Sequence, residues 1–203
     1  PLRLKAQNMV DRRFFREKYN SRRMLQNLSS RVASILDLEK ITNIILEEVT
    51  STLHVSRAAF FLKNDANGRF NLTTQVGLDQ TDNISFRKQH PVVLWLSSHD
   101  FPLSRHELEV HPQFKSMWGI EREELQAIDT ELLIPIKVQS ELVGIFSVGM
   151  KRSEQAYDED DKLTLTTLAN QTAVAIENAR LYTAEQNRRK ELDTLYSMAR
   201  QLV

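Results

Sequence analysis

The chain has 203 residues, no cysteine and a formal net charge of zero. That length supports one domain with a full core plus additional helix. The lack of cysteine excludes disulfides, thiolate metal centres, cysteine nucleophiles and thioether-linked chromophores. No apolar run exceeds five residues, as in Ala58-Ala59-Phe60-Phe61-Leu62, so no membrane span is expected.

Charge is unevenly placed. Residues 1–23 carry eight Lys/Arg against Asp11 and Glu17, a net of +6, so the rest of the chain carries −6. Positive residues collect on the cytoplasmic side of spans and near anionic lipid. Residues 1–26 therefore read as a basic juxtamembrane or linker helix, with a solvated charged helix as the alternative. No DNA-binding pattern accompanies them, and no nucleic-acid partner is expected. The first residue is Pro and Val203 falls within a helical pattern, which predicts a segment of a larger protein.

Leu25, Leu28, Val32 and Ile35 form a narrow helical seam of coiled-coil spacing. Asp37 offers an N-cap to a second helix with a broader apolar face: Leu38, Ile41, Ile44, Ile45, Val49 and Leu53. Strands follow at Arg57 to Lys63 and Phe70 to Val76, joined through Asp65-Ala66-Asn67-Gly68. A second hairpin pairs Glu131 to Val138 with Glu141 to Met150, turning at Gln139-Ser140. Pro135 marks an edge position or a bulge in it.

Between the hairpins, Pro91, Pro102 and Pro112 break residues 78–130 into short pieces. Helices are expected around Trp95, over Ser104–Val110 and over Glu121–Ile128. So long a stretch of short pieces reads as a cover over the sheet. From Asp158 the chain is helical to its end, with acidic residues on the first turn where the helix dipole favours them. Leu165, Leu168, Thr172, Ala175, Ala179 and Tyr182 form one seam; Leu192, Leu195, Ala199 and Leu202 form a second in another phase. The phase change suggests a partner switch or a kink. The seams at Leu25/Leu28/Val32/Ile35 and Leu192/Leu195/Leu202 predict a parallel homodimer.

Four of the five histidines lie at His90, His99, His106 and His111, and they read as surface or loop residues of the cover. Their spacing is not that of a helical metal pair, so no metal site and no cofactor are expected; a haem or iron bound by one of them is the alternative. Arg105-His106-Glu107-Leu108 approaches a kinase phosphoacceptor box, but Glu109 stands where a basic residue belongs and the prolines leave no long helix. The glycines form no phosphate-cradling loop and no catalytic triad motif is present, so no enzyme activity is expected. A small-molecule site, if the chain has one, is expected between sheet and cover, walled by Phe60, Leu62, Trp95 and Trp118. The alternative is that the tryptophans fill the core.

The order helix, hairpin, cover, hairpin, long helix resembles the GAF domain. Asn27 to Val55 is similar to that family's leading helices, and "ELVGIFSVG" at Glu141–Gly149 to its "GELVGVLxLG" strand. Tyr157-Asp158-Glu159-Asp160 is similar to its final helix start, and "AIENARLY" at residues 175–182 to its "VALENARLY". The resemblance covers residues 27–185, leaving 186–203 as a linker helix to the next module. It implies an α/β (α+β) fold: a central antiparallel sheet, a helical bundle on one face, the cover on the other, and long terminal signalling helices.

Val10 to Arg23, "VDRRFFREKYNSRR", is similar to the segment after the membrane part of multi-spanning bacterial sensor histidine kinases. The "WLxxxxxPLSRxEL" pattern at Trp95–Leu108 occurs in such proteins too. The resemblance thus implies a cytoplasmic, membrane-proximal sensory domain relaying a signal through dimeric helices to a histidine kinase, with adjoining membrane and output domains in the same chain. Alternatives are another output (diguanylate cyclase, phosphatase or transcription regulator) or a ligand-free dimerisation module. The Asn-Lys-Phe-Asp-Glu signature of cyclic-nucleotide-binding members is absent, and covalent bilin is excluded without cysteine.

Overall fold

Asp37 starts helix α1 (Leu38–Thr52) by accepting the amides of Glu39 and Lys40 at 3.1 and 3.2 Å. The structure, a computed structural model, describes residues 37–78, 84–117 and 119–201. The predicted seam Leu25, Leu28, Val32 and Ile35 lies outside them, as do Trp118 and Leu202. Helix α1 buries Ile41, Ile45, Leu46 and Val49, the face its spacing predicts.

Six strands follow: β1 (Ala58–Lys63), β2 (Phe70–Val76), β3 (Ser85–Phe86), β4 (Leu103–Ser104), β5 (Leu132–Val138) and β6 (Glu141–Val148). They form one antiparallel sheet in the order β3-β2-β1-β6-β5-β4. The β1–β2 turn is held by Asn64 and Asn67 side chains, which accept the amides of Ala66 and Arg69, with Gly68 at φ +68°. The β5–β6 turn needs two left-handed residues, and Gln139 and Ser140 supply them at φ +48° and +69° without glycine. Pro135 sits where β4, paired only at Leu132 and Leu133, no longer runs beside β5; there the strand has no strand neighbour on that side among the described residues. The two-residue strands β3 and β4 carry too few residues for a period-2 pattern, which is why the sequence reading lacks them.

β1 is apolar from Ala58 to Leu62 because both faces of the sheet are covered. Its alternation sends Ala58 and Phe60 to one face and Ala59 and Phe61 to the other. On the first face, α1 and the long helix α6 (Glu159–Gln201) pack against Phe60, Ile134, Ile136 and Phe146, with Phe60 stacked on Phe146 at 4.4 Å. On the second lies the cover: α2 (Pro91–Ser98), α3 (Arg105–Val110), α4 (Pro112–Lys115) and α5 (Gly119–Ile128). Its core joins Phe61, Phe86, Val92, Leu96, Phe114 and Ile145.

Helix α6 begins in a reciprocal cap: the Asp161 amide donates to Asp158 Oδ1 at 2.8 Å, and the Asp158 amide to Asp161 Oδ2 at 3.0 Å. Buried Tyr157 donates its hydroxyl to the Gly149 carbonyl at 2.6 Å, fixing the approach to the helix. The helix runs without interruption for 43 residues, about 65 Å. Leu165, Leu168, Thr172, Ala175 and Ala179 are buried against the domain, whereas Tyr182, placed in the same predicted seam, is half exposed.

The predicted phase change has a simpler basis than a kink. Leu163, Val174, Leu181, Leu192 and Leu195 are all exposed. At 100° per residue they fall within about 60° of arc, on the side of α6 opposite the domain. The second seam therefore continues a stripe that already runs along the back of the first. No helix among the described residues is long and apolar enough to cross a membrane.

Candidate functional site

The predicted wall of a site divides between the two faces. Phe60 and Leu62 do not face the cover: strand alternation turns both toward α1 and α6, where Phe60 is wholly buried. Phe61 occupies the position expected of Phe60. Trp95 does lie in the cover, buried from α2, stacked on His99 at 4.1 Å and met edge-on by Phe101 at 5.2 Å. It packs as part of the cover's apolar core.

The histidines behave individually. His106 and His111 are exposed, and His99 is fixed by its Nδ1 to the Trp95 carbonyl at 2.8 Å. His90, expected at the surface, is fully buried. It is the N-cap of α2: its Nδ1 accepts the Val92 amide at 3.2 Å, and Pro91 follows at the first helical position. Pro there gives up no amide that the helix needs, so the His90-Pro91 pair was the readable signal for this role. Among the described residues no three His, Asp or Glu side chains gather as a metal-ligand set.

Around His90 the cover buries a polar cluster. Helix α5 turns Glu121 and Glu124, one turn apart, toward it. His90 Nε2 lies 3.5 Å from the Glu121 carbonyl oxygen and 3.8 Å from Glu124 Oε2. That carboxylate oxygen is buried with no hydrogen-bond partner. Arg87 Nη2 stands 3.6 Å from Glu121 Oε1, and Arg69 holds Ser85 Oγ at 2.6 Å. Burial pushes the Glu124 carboxyl above its ordinary range, against the pull of the Arg69 and Arg87 charges, while the Glu121 charge adds to the rise. Burial likewise pushes the His90 ring below its ordinary value; Glu121 opposes this shift and Arg87 adds to it. Beside the cluster, an open cleft of about 740 Å³ runs along the outer edge of β2, lined by Arg69, Asn71, Thr73, Gln75, Ile84 and Ser85.

A second polar group closes the other end of the cover. Asp129, at φ +41° between α5 and β5, accepts from both Arg57 of β1's approach and Arg105 of α3, the latter at 2.6 Å. The adjacent backbone leads to α6. The Gly149 amide donates to the Arg57 carbonyl at 2.8 Å, Tyr157 bonds the Gly149 carbonyl, and Lys151 pairs with Asp161 in the first turn of α6. A Cβ on Gly149 would meet Arg57 Cβ at 3.1 Å, so glycine keeps this junction close.

The sequence model of the GAF domain matches residues 37–176, taking in α1, the whole sheet, the cover and the packed half of α6. This chain belongs to the GAF domain family. GAF domains are sensory and regulatory modules of signalling proteins, generally of a ligand-binding kind. Solved structures agree on the fold. The GAF domain of a phosphoenolpyruvate-protein phosphotransferase from Coxiella burnetii is 23% identical, at a TM-score of 0.65 over 82% of this chain and 98% of that one. A methyl-accepting chemotaxis protein segment is 18% identical, at a TM-score of 0.64 over 77% of this chain and 99% of that one. The phycoerythrobilin-bound GAF domain of a cyanobacterial phytochrome is 19% identical, at 0.60 over 81% and 98%. A search of curated proteins gives no match.

Proposed function

We propose that this GAF domain is the sensory relay of a dimeric bacterial signalling protein, passing the state of its cover through α6 to a histidine kinase output. The carrying observation is the two-sided character of α6. One side is buried in the domain, and the other presents Leu163, Val174, Leu181, Leu192 and Leu195 along its length. A stripe so narrow suits a helix partner, since a long exposed helix draws its stability from packing. With α6 shared between domain and pair, a change in the cover is felt at the interface. A signal biases the relay only through its different affinity for two states.

The kinase output rests on the resemblance of residues 10–23 and 95–108 to sensor kinases, and the basic charge of residues 1–23 supports a cytoplasmic position beside a membrane. One observation favours a second reading, a dimerisation module without a small molecule. The cover face is occupied by Phe61, Phe86, Trp95 and Phe114.

The test exploits the absence of cysteine. Light scattering of the purified chain at micromolar concentration should report a dimer. A Leu181→Cys variant should form a disulfide between copies under mild oxidation, as parallel helices in register require. A Leu181→Glu, Leu192→Glu variant should become monomeric with its domain folded. A wild-type monomer of undiminished helicity would overturn the proposal.

A further inference from the structure

We propose that the proton is itself a ligand of this domain, bound at His90 and read out by the N-terminus of α2. The inference deepens the sensory reading by supplying a signal. Its test reads the cover alone, so failure of the helix pairing would leave it intact.

The geometry makes the neutral ring part of the fold. Nδ1 accepts the Val92 amide at 3.2 Å, and an amide can only donate, so Nδ1 carries no proton. In the neutral ring the proton is then on Nε2, which faces the Glu121 carbonyl and Glu124 Oε2. Adding a second proton places an N–H at Nδ1 against the N–H of Val92, and the cap is lost. Val92 is itself fully buried, so its amide has no water to turn to. Protonation thus cannot occur without releasing the first turn of α2.

The same cluster holds what stabilises the released state. Glu124 Oε2 has no hydrogen-bond partner and lies 3.8 Å from Nε2. A movement of about 1 Å brings the pair to charge-assisted hydrogen-bond distance. The imidazolium would therefore exchange a bond to α2 for a bond to α5. Every charged group facing the ring takes a side. Glu121 and Glu124 from α5 favour the proton, Arg87 of the preceding turn opposes it, and Arg69, just ahead of β2, competes for Glu124. The Phe86 ring, 5.1 Å away and edge-on, supplies an apolar wall. Because burial dominates, the His90 transition falls below the ordinary histidine value of about 6.5. Above that value the capped state holds, and acidification drains it.

The experiment follows the imidazole resonances of the whole chain by NMR from about pH 7.5 to about pH 4.5, together with the exchange protection of the Val92 amide. Protection is preferred to tryptophan fluorescence because His99, stacked on Trp95, would add its own quenching. His90 should titrate below the ordinary histidine value of about 6.5, and Val92 protection should fall about fivefold in step, the worth of one capping bond. His90→Asn keeps a neutral cap acceptor and should hold Val92 protection flat across the range. Glu124→Gln should keep the fold and lower the His90 midpoint, because the imidazolium loses its carboxylate. A folded protein whose His90 ring never titrates would overturn the proposal. So would Val92 protection indifferent to the His90 midpoint, or a transition that persists in His90→Asn. A midpoint unmoved by Glu124→Gln would remove the second half of the switch.

Discussion

The helix-covered face of the sheet is closed by α1 and α6, of 15 and 43 residues, whereas the cover face is closed by four helices of ten residues or fewer. Buried polar groups differ in the same sense. Under α1 they are hydroxyls that satisfy one another, as Thr74 does in donating to Thr42 at 2.6 Å. Under the cover they include His90, Glu121 and Glu124, where Glu124 Oε2 has no hydrogen-bond partner and reaches His90 Nε2 only at 3.8 Å. Long helices bind distant parts of the core into one cooperative unit, while short pieces open separately. One face is closed by long elements that hold together and the other by short ones.

Substitutions at three positions break or sharpen that contrast. Phe60→Ala removes a stacked ring from the helix-covered face and should lower the unfolding free energy by about 3–5 kcal/mol in a denaturant titration. It should weaken cover and core alike, because the cover rests on the same sheet. A loss confined to the amides of α1 and α6 would show the two faces to be less coupled than described. Asp129→Ala acts at the junction between them. It forces alanine to a positive φ, a cost of about 1–2 kcal/mol, and strips Arg57 and Arg105 of their shared carboxylate. Asp129→Asn tolerates the backbone and should cost under about 1 kcal/mol, the worth of exposed ion pairs. Equal losses in both variants would assign the junction to charge rather than backbone. The smallest effect is expected from Ser104→Ala, which deletes the capping box of α3, where Ser104 Oγ accepts the Glu107 amide. Protection at Glu107 should fall about fivefold with global stability nearly unchanged.

Much of this architecture is legible from periodicity and capping chemistry. Strand β2 spans the predicted Phe70 to Val76, and Asp37, the 65–68 turn and the acidic start of α6 stand where their side chains imply. What a sequence conveys poorly is which face of an all-apolar strand looks where. In β1, Ala58 through Phe61 are all buried, so hydrophobicity carries no alternation, and the assignment of Phe60 and Leu62 to the cover was a choice between two equal parities. The polar cluster was hidden for a related reason. Glu121 and Glu124 sit on a helix whose other charges, Arg122 and Glu123, are exposed, and only the arrival of His90 from α2's cap makes the buried pair distinct. The stripe on α6 was half visible, since its C-terminal part has heptad spacing. Its continuation at Leu163 and Val174 was masked by the stronger domain-facing seam.

That stripe has one further property. Four of its five residues, Leu163, Val174, Leu181 and Leu192, are spaced by eleven, seven and eleven residues, so that part of the pattern reads the same from either end, and Leu195 lies outside it. Turned head to tail, two such helices would set Leu163 beside the other copy's Leu192 and Val174 beside its Leu181, as well matched as in a parallel pair. At these four positions apolar contact supplies adhesion without direction. The sense of pairing is then imposed by how the chains are tethered, and a common anchor that brings both copies in from the same side would select the parallel form. A palindromic seam of this kind can be given an arrow by design. Val174→Arg with Leu181→Glu would set like charges together in the parallel pair and unlike charges together in the reversed one.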